Sequence, residues 1–247
     1  MCPVVLSVVS TRQVNPLSWQ ARVYLFAIIS VGCLLMVESM VSWNCEDPQR
    51  FAVYFVLGCI AGGLKVRVPK MRGTYSLTFL IILIGLCDLT LSETVAIACS
   101  SMTVQTIWRS STKPSLIQGA FNAAACSMSA AIAYATAHLF MPTYLIASLM
   151  LAAVSYFATN TLLVSVIISQ TEQGHLWKTW ANWFHLSTLY YVAGCTAAGT
   201  IVVLNRHLGW VFSLLVLPVM YLEYVFYGLR IADQATKSEP MRKSPTA

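Results

Sequence analysis

Long apolar runs separated by short polar breaks occupy almost the whole chain. An α-helix needs about 20 mainly apolar residues to cross the hydrocarbon core of a bilayer. The pattern therefore predicts an all-α protein, a polytopic membrane bundle of eight transmembrane helices. The predicted spans are 23–43, 51–66, 76–91, 93–108, 116–140, 144–169, 185–204 and 210–230.

The basic residues give this predicted bundle an orientation. The loop 65–72 contains four Lys and Arg residues and no acidic residue, and Pro69 and Gly73 interrupt the helical pattern there. Cytoplasmic loops of membrane proteins carry an excess of Lys and Arg. If both termini are cytoplasmic, every Lys and Arg except Arg50 and Arg206 lies on the cytoplasmic side. We therefore predict an even number of spans with both chain ends inside.

Three regions follow from this pattern. Residues 1–22 are expected to be a cytoplasmic lead-in, because no basic residue precedes the short apolar run at the start. Residues 23–230 form the membrane domain, and 231–247 form a polar cytoplasmic tail. The aromatic segment 170–184 has tryptophans at helical spacing, which is typical of a short helix in the headgroup layer or of an aromatic belt.

Composition agrees with a membrane location. Of the 247 residues, 57% are hydrophobic and 10% are charged, whereas about 25% of the residues in soluble proteins are charged. The net charge of +6 comes from clusters at the ends of apolar runs, so it indicates the lipid bilayer as partner and no nucleic acid. The eight cysteines show no CxxC spacing and are interpreted as reduced packing residues.

Polar side chains inside spans are costly, so each is a candidate for function. With 1.5 Å of rise per residue, one set falls in the cytoplasmic half of several spans. If these helix faces converge, they line a cavity for a small or lipophilic ligand; the alternative is hydrogen bonding between helices. The candidate ligand-binding residues are Gln105, Asn122, Asn160, His185, Tyr190 and Glu223.

Acidic residues gather at the opposite, outer end of the spans. Glu38, Asp88 and Glu93 form a candidate acidic sensor, with Glu38 and Asp88 placed just below the interface. A carboxylate withdrawn from water has a raised pKa unless it is paired, which suits a proton or cation sensor. An ordinary wet surface explains the same residues without a sensor.

Gly58 and Gly62 form a GxxxG motif in the second span. Such small residues let another helix approach closely, either within the bundle or in a homodimer.

Motifs for catalysis are missing from the sequence. It contains no HExxH, no GxSxG and no Gly-rich phosphate loop, and its four histidines are scattered. We therefore predict no enzyme activity, no metal site and no cofactor.

One stretch carries a family resemblance. The run Leu64-Lys65-Val66-Arg67-Val68-Pro69, with Gly73-Thr74-Tyr75-Ser76 and Phe79-Leu80 after it, resembles the MASE-type multi-span sensor domains of bacterial signalling proteins. Further matching positions extend the resemblance over roughly 22–230. They are Ser92-Glu93-Thr94, Gln105, Trp108-Arg109, Phe121-Asn122, Asn160-Thr161, Asn205-Arg206 and Leu215-Val216-Leu217-Pro218.

The resemblance implies a sensory domain of the bacterial inner membrane. Such a domain would transmit a stimulus through its last helix to a cytoplasmic GGDEF or HD-GYP module of cyclic di-GMP signalling, and neither sequence occurs in this chain. Pro218 weakens the last predicted helix, which suits a helix with two arrangements. The alternative function is a small-molecule transporter or the substrate-binding membrane subunit of one.

Overall fold

The computed structural model describes residues 18–67, 74–108, 110, 114–140, 144–172, 175–222, 224–226 and 229. This part of the chain is mainly helical. The α-helices are α1 (Trp19–Val41), α2 (Pro48–Gly63), α3 (Thr78–Asp88), α4 (Leu91–Ile107), α5 (Leu116–Phe140), α6 (Leu145–Glu172) and α7 (Leu176–Leu208). A 3₁₀ turn, Trp210–Leu215, then continues into the α-helical residues 216–222; we call 210–222 the last segment.

The predicted all-α membrane fold is confirmed in its coarse form. Three helices, α1, α5 and α6, are long and apolar enough to cross a membrane. Each of the other predicted spans also overlaps a helical segment. Of these, α3 has 11 residues, a length of about 16 Å, which is well short of the ~30 Å hydrocarbon core.

Local side-chain chemistry sets the starts of several helices. Ser18 accepts a hydrogen bond from the Ala21 N–H at the start of α1. At the start of α2, the Asp47 side chain accepts a hydrogen bond from the Arg50 N–H, and Pro48 occupies the first helical position. Helix α7 ends at Gly209, whose φ of 98° is a left-handed conformation that favours glycine.

The loop between α2 and α3 contains structure that the sequence pattern did not predict. Backbone residues Lys65–Arg67 (β1) pair antiparallel with Thr74–Ser76 (β2), with Val66 opposite Tyr75. Residues 68–73, which include Pro69, lie outside the described residues. The loop is therefore closed by a two-stranded hairpin.

The prediction of a separate interfacial helix within 170–184 is wrong. Helix α6 extends to Glu172, and α7 begins at Leu176 and continues without a break to Leu208. The 33 residues of α7 give a helix of about 50 Å, much longer than the ~30 Å hydrocarbon core. Trp180 lies on its first turns and donates a hydrogen bond from Nε1 to Thr161 Oγ1 of α6 at 3.0 Å.

The short helix α3 lies at the centre of the bundle. Every residue from Thr78 to Leu86 is buried, and α3 packs against α2, α4 and α7. Helix α1 lies at the edge, where Phe26 and Leu34 are more than two-thirds exposed. The exposed surface is rich in large apolar side chains, while Gln105, Asn122 and many Ser and Thr side chains are buried inside. This distribution suits a lipid environment, in which polar groups must find partners within the protein.

Close backbone contacts hold α2 against α4. A Cβ atom added at Gly62 would lie 2.3 Å from the backbone oxygen of Ser101, and one at Gly58 would lie 2.6 Å from Ser101 Oγ. The structure therefore places the GxxxG motif at a contact within the bundle. A similar approach occurs between Gly32 of α1 and Ala124 of α5.

We expect Gly62→Ala to destabilise the protein by about 1–3 kcal/mol, because the added methyl group would force α2 away from α4. Reversible unfolding in mixed SDS micelles measures this free energy. Gly119→Ala on α5 is the matched control, since its Cβ would meet no atom within 4 Å. Equal stability of the two variants would contradict the proposed close packing.

Candidate functional site

An apolar groove lies between α6 and α7. Its cavity volume is about 680 Å³, within the range of small-molecule sites. The lining residues are Ile146, Leu149, Met150, Ala153, Val154 and Phe157 of α6, and Tyr191, Val192, Cys195, Thr196, Gly199, Thr200, Val203 and Leu204 of α7. Because α6 and α7 are consecutive and antiparallel, Phe157 and Tyr191 mark one end and Ile146 and Leu204 mark the other.

The few polar groups of the groove are already occupied. Thr196 Oγ1 donates to the backbone oxygen of Val192 at 2.9 Å, and Thr200 Oγ1 donates to that of Thr196 at 2.9 Å. Gly199 leaves space in the wall, since a Cβ there would meet only Leu149 Cδ1, at 4.0 Å. The groove therefore suits an apolar group.

Aromatic rings close the end of the groove near the middle of α7. The ring centroids of Phe157 and Tyr191 are 4.4 Å apart, and Phe79 of α3 lies 4.3 Å from Tyr191. Phe79 also contacts Tyr156, with centroids 5.3 Å apart. Gly194 leaves room for Phe79, because a Cβ there would lie only 3.3 Å from its ring. The central helix α3 thus supports this end of the groove.

A polar network lies near the other end of α7. Tyr54 Oη of α2 donates to Asp88 Oδ2 of α3 at 2.7 Å. Asn205 Nδ2 of α7 donates to the same carboxylate oxygen at 2.6 Å and to Ser213 Oγ of the last segment at 2.7 Å. The hydroxyl groups of Tyr54 and Ser213 are also hydrogen-bonded to each other. We call these four residues the Asp88 network; it joins α2, α3, α7 and the last segment.

The network leaves one buried oxygen unused. Asn205 is 8% exposed, and its Oδ1 atom has no hydrogen-bond partner among the described residues. Its Nδ2 atom has two hydrogens but lies within hydrogen-bond distance of three oxygens, those of Tyr54, Asp88 and Ser213. The amide is therefore held by contacts on one side only.

Three residues of the predicted inner cluster are buried on neighbouring helices. Gln105 accepts a hydrogen bond from Ser76 Oγ at 2.7 Å. Asn122 donates to Thr106 Oγ1 at 3.3 Å, while its Oδ1 atom is buried without a partner among the described residues. Asn160 is 1% exposed. These contacts cross from α4 to β2 and to α5, as expected for hydrogen bonds that hold helices together.

The other members of the inner cluster lie wholly or partly outside the described residues. His185 and Tyr190 belong to α7, but their side chains are not among those described. Glu223 is not described at all.

The three acidic residues of the predicted outer sensor have separate surroundings. Glu38 is exposed on α1, and no hydrogen bond or ion pair of the described residues joins it to Asp88. Asp88 belongs to the network above. Glu93 is 2% exposed; it forms a capping box with Thr90, whose N–H donates to Glu93 Oε2 at 2.8 Å. The sequence pattern predicted Asp88 as part of an acidic sensor, which stays a prediction, and it did not reveal the contacts of Asp88 with Tyr54 and Asn205 or their link to Ser213.

No group of three His, Cys, Asp or Glu side chains arranged to hold a metal ion occurs in the described ranges. No disulfide bond joins the cysteines in the part of the chain that the structure describes.

Comparison of the chain with models of known families, with curated proteins and with solved structures finds no match.

We expect Tyr54→Phe to destabilise the protein by about 1.5 kcal/mol or more, because it removes a hydrogen bond to a carboxylate. Tyr24→Phe is the matched control, since the Tyr24 hydroxyl donates to a neutral backbone oxygen, that of Leu163, at 2.8 Å. Its expected cost is about 0.6 kcal/mol, the average for hydrogen bonds between membrane helices. Both free energies can be measured by reversible unfolding in mixed micelles, and an equal cost would contradict a special role for Asp88.

The Cys45 thiol in the α1–α2 loop gives a pH-dependent test of the Glu93 position. The nearby Glu93 carboxylate raises the pKa of Cys45, and partial burial of the thiol acts in the same direction. Fewer thiolates are then present at pH 8, so alkylation is slowed. We expect Glu93→Gln to lower this pKa and to speed alkylation of Cys45.

The measurement uses a variant in which Cys45 is the only cysteine, with iodoacetamide rates followed from pH 7 to 10. Gln at the third helical position still completes a capping box, so the start of α4 is retained. If the pH profile of Cys45 alkylation does not move towards lower pH in Glu93→Gln, the result would contradict the effect of the Glu93 carboxylate on Cys45.

Proposed function

We propose that this protein is a membrane-embedded sensory domain that binds a lipophilic ligand in the α6–α7 groove. The groove is the observation that carries the proposal: it is large, apolar and bordered by exposed side chains such as Ile146 and Met150. In this proposal the chain traverses the bilayer of a bacterial inner membrane eight times, with α3 as a short segment buried at the centre of the bundle, and both termini are cytoplasmic. The resemblance of 64–80 to MASE-type sensors supports the same role.

The Asp88 network offers a route from the groove to the last segment. Leu204 lines the groove, and Asn205, the next residue, holds Ser213 of the last segment. A ligand that shifts α7 therefore changes the contacts of Asn205. The last segment would carry this change to a cytoplasmic GGDEF or HD-GYP module supplied by a partner. A switch of this kind requires two arrangements of one helix, and Pro218 lies in the last segment.

A transporter is the second candidate function. It is favoured by the buried polar and small residues of α5, where Asn122, Ser127 and Ser129 have no exposed surface. Flux of a solute into proteoliposomes would support transport, whereas binding without flux supports sensing.

We expect Gly199→Phe to block the groove, because its side chain would occupy the open space beside Leu149. The probe is a diazirine-bearing long-chain alcohol, and the photolabelled peptides are mapped by mass spectrometry. Labelling should concentrate in 146–157 and 191–204 and should fall at least tenfold in the variant. Gly119→Phe, which lies on α5 outside the groove, should leave the labelling unchanged. Equal labelling of both variants would contradict a ligand site in the groove.

Signalling is tested with the same two variants fused at residue 247 to a diguanylate cyclase module. The Gly199→Phe fusion should differ in cyclase activity from the Gly119→Phe fusion when both are reconstituted in membranes. Identical activities would overturn transmission while leaving the binding site in place.

A further inference from the structure

The outer mouth of the groove is basic. Arg206 follows Val203 by three residues and Gly199 by seven, and His207 follows Val203 by four. Residues at these spacings share one face of a helix. Arg206 and His207 are both exposed in the last turn of α7, so they lie above the groove at its Leu204 end.

The charge of Arg206 is not neutralised by a close ion pair. No carboxylate lies within ion-pair distance of it among the described residues, where the single ion pair is Arg50–Asp47. An exposed, unpaired guanidinium at the top of an apolar groove suits an anionic group.

The length of the groove fits a hydrocarbon chain in one leaflet. From Tyr191 to Leu204, α7 rises by about 20 Å, about two-thirds of the ~30 Å hydrocarbon core. The aromatic rings of Phe157 and Tyr191 close the inner end, so a chain entering from the mouth stops a little past the middle of the membrane and does not cross it.

The sides of the groove open towards lipid. Ile146 is 68% exposed, Val154 63% and Val192 58%. A ligand can therefore enter sideways from the bilayer, in which acyl chains are the most abundant apolar groups.

We propose that the groove binds one acyl chain of an anionic membrane lipid, with its headgroup at Arg206 and His207. This inference rests on the proposed function and names the chemical class of the ligand. In the eight-span arrangement the lipid belongs to the outer leaflet of the inner membrane.

The test measures lipid binding to the delipidated full-length protein by native mass spectrometry. The lipids are palmitoyl-oleoyl phosphatidylglycerol, which is anionic, and the phosphatidylcholine with the same chains, which has no net charge. We expect the anionic lipid to bind more tightly, and Arg206→Gln to weaken only its binding, by about fivefold. Arg22→Gln is the matched control, since Arg22 is an exposed arginine in the first turn of α1, which does not line the groove.

Gly199→Phe should remove binding of both lipids, because the acyl chain loses its space in the groove.

Equal affinities for the two lipids, with no effect of Arg206→Gln, would overturn the anionic-lipid proposal. If the diazirine alcohol still labels the groove in that case, the proposed function stands. If neither the lipids nor the diazirine alcohol bind in the groove, both the anionic-lipid proposal and the proposed function are overturned. Oleate that binds more tightly than phosphatidylglycerol and displaces it would identify a free fatty acid instead, which also overturns the proposal.

Discussion

The carboxylate of Asp88 is the constraint on which one end of the bundle depends, the end where α3 and α7 finish. Asp88 is half-buried, and a carboxylate partly withdrawn from water is costly unless it is hydrogen-bonded. Asp88 meets this requirement with Tyr54 of α2 and Asn205 of α7, and Ser213 attaches the last segment to the same cluster. Since each donor comes from a different element, satisfying one charge fixes the relative positions of four parts of the chain. Removal of a partner leaves polar groups unsatisfied in an apolar setting, which is more costly than losing an exposed contact.

The central helix α3 connects this network to the groove. Its carboxyl end supplies Asp88, and its first turn supplies Phe79, which supports the Tyr191 ring that closes the groove. The two residues lie nine positions apart on a helix that is buried along most of its length. Because closely packed interiors do not deform continuously, α3 acts as a rigid spacer between the two sites. Its short length is then an advantage, since the groove and the network remain within a few turns of each other.

The sequence predicted the positions of the helical segments well, because apolar runs of sufficient length are a direct signal. It also selected Asp88 as a candidate sensor residue from its place near the end of a predicted span, and that role stays a prediction. It did not predict its partners, because Tyr54 lies 34 residues away and Asn205 117 residues away. Such pairings depend on how each helix is rotated about its axis, and in a membrane bundle both faces of a helix are apolar. The groove was not predicted for the same reason, because in the sequence its apolar lining residues cannot be distinguished from residues that face lipid.

Two local errors have different physical causes. Residues 170–184 combine polar and aromatic side chains, which is typical of a membrane interface. In the structure α7 nevertheless includes 176–184. Contact with α6 stabilises this part of the helix, and the Trp180–Thr161 hydrogen bond is one such contact. The hairpin of 65–67 and 74–76 was not predicted because three-residue strands are too short to show an alternating pattern.

The shape of α7 explains how a single helix can serve both the groove and the network. One face of the helix, with Gly199 and Val203, borders the groove, while the buried residues Ala198, Ile201 and Asn205 face the bundle. In the proposed function, a chain in the groove would press on the first face, and the resulting rotation or tilt of α7 would move Asn205 relative to Asp88. Hydrogen bonds hold the Nδ2 atom of Asn205, whereas its Oδ1 atom has no partner among the described residues. These bonds therefore oppose a movement of the amide on its Nδ2 side only. Gly209 separates α7 from the last segment, so the Asn205–Ser213 hydrogen bond, and not a continuous helix, would carry such a movement to the last segment.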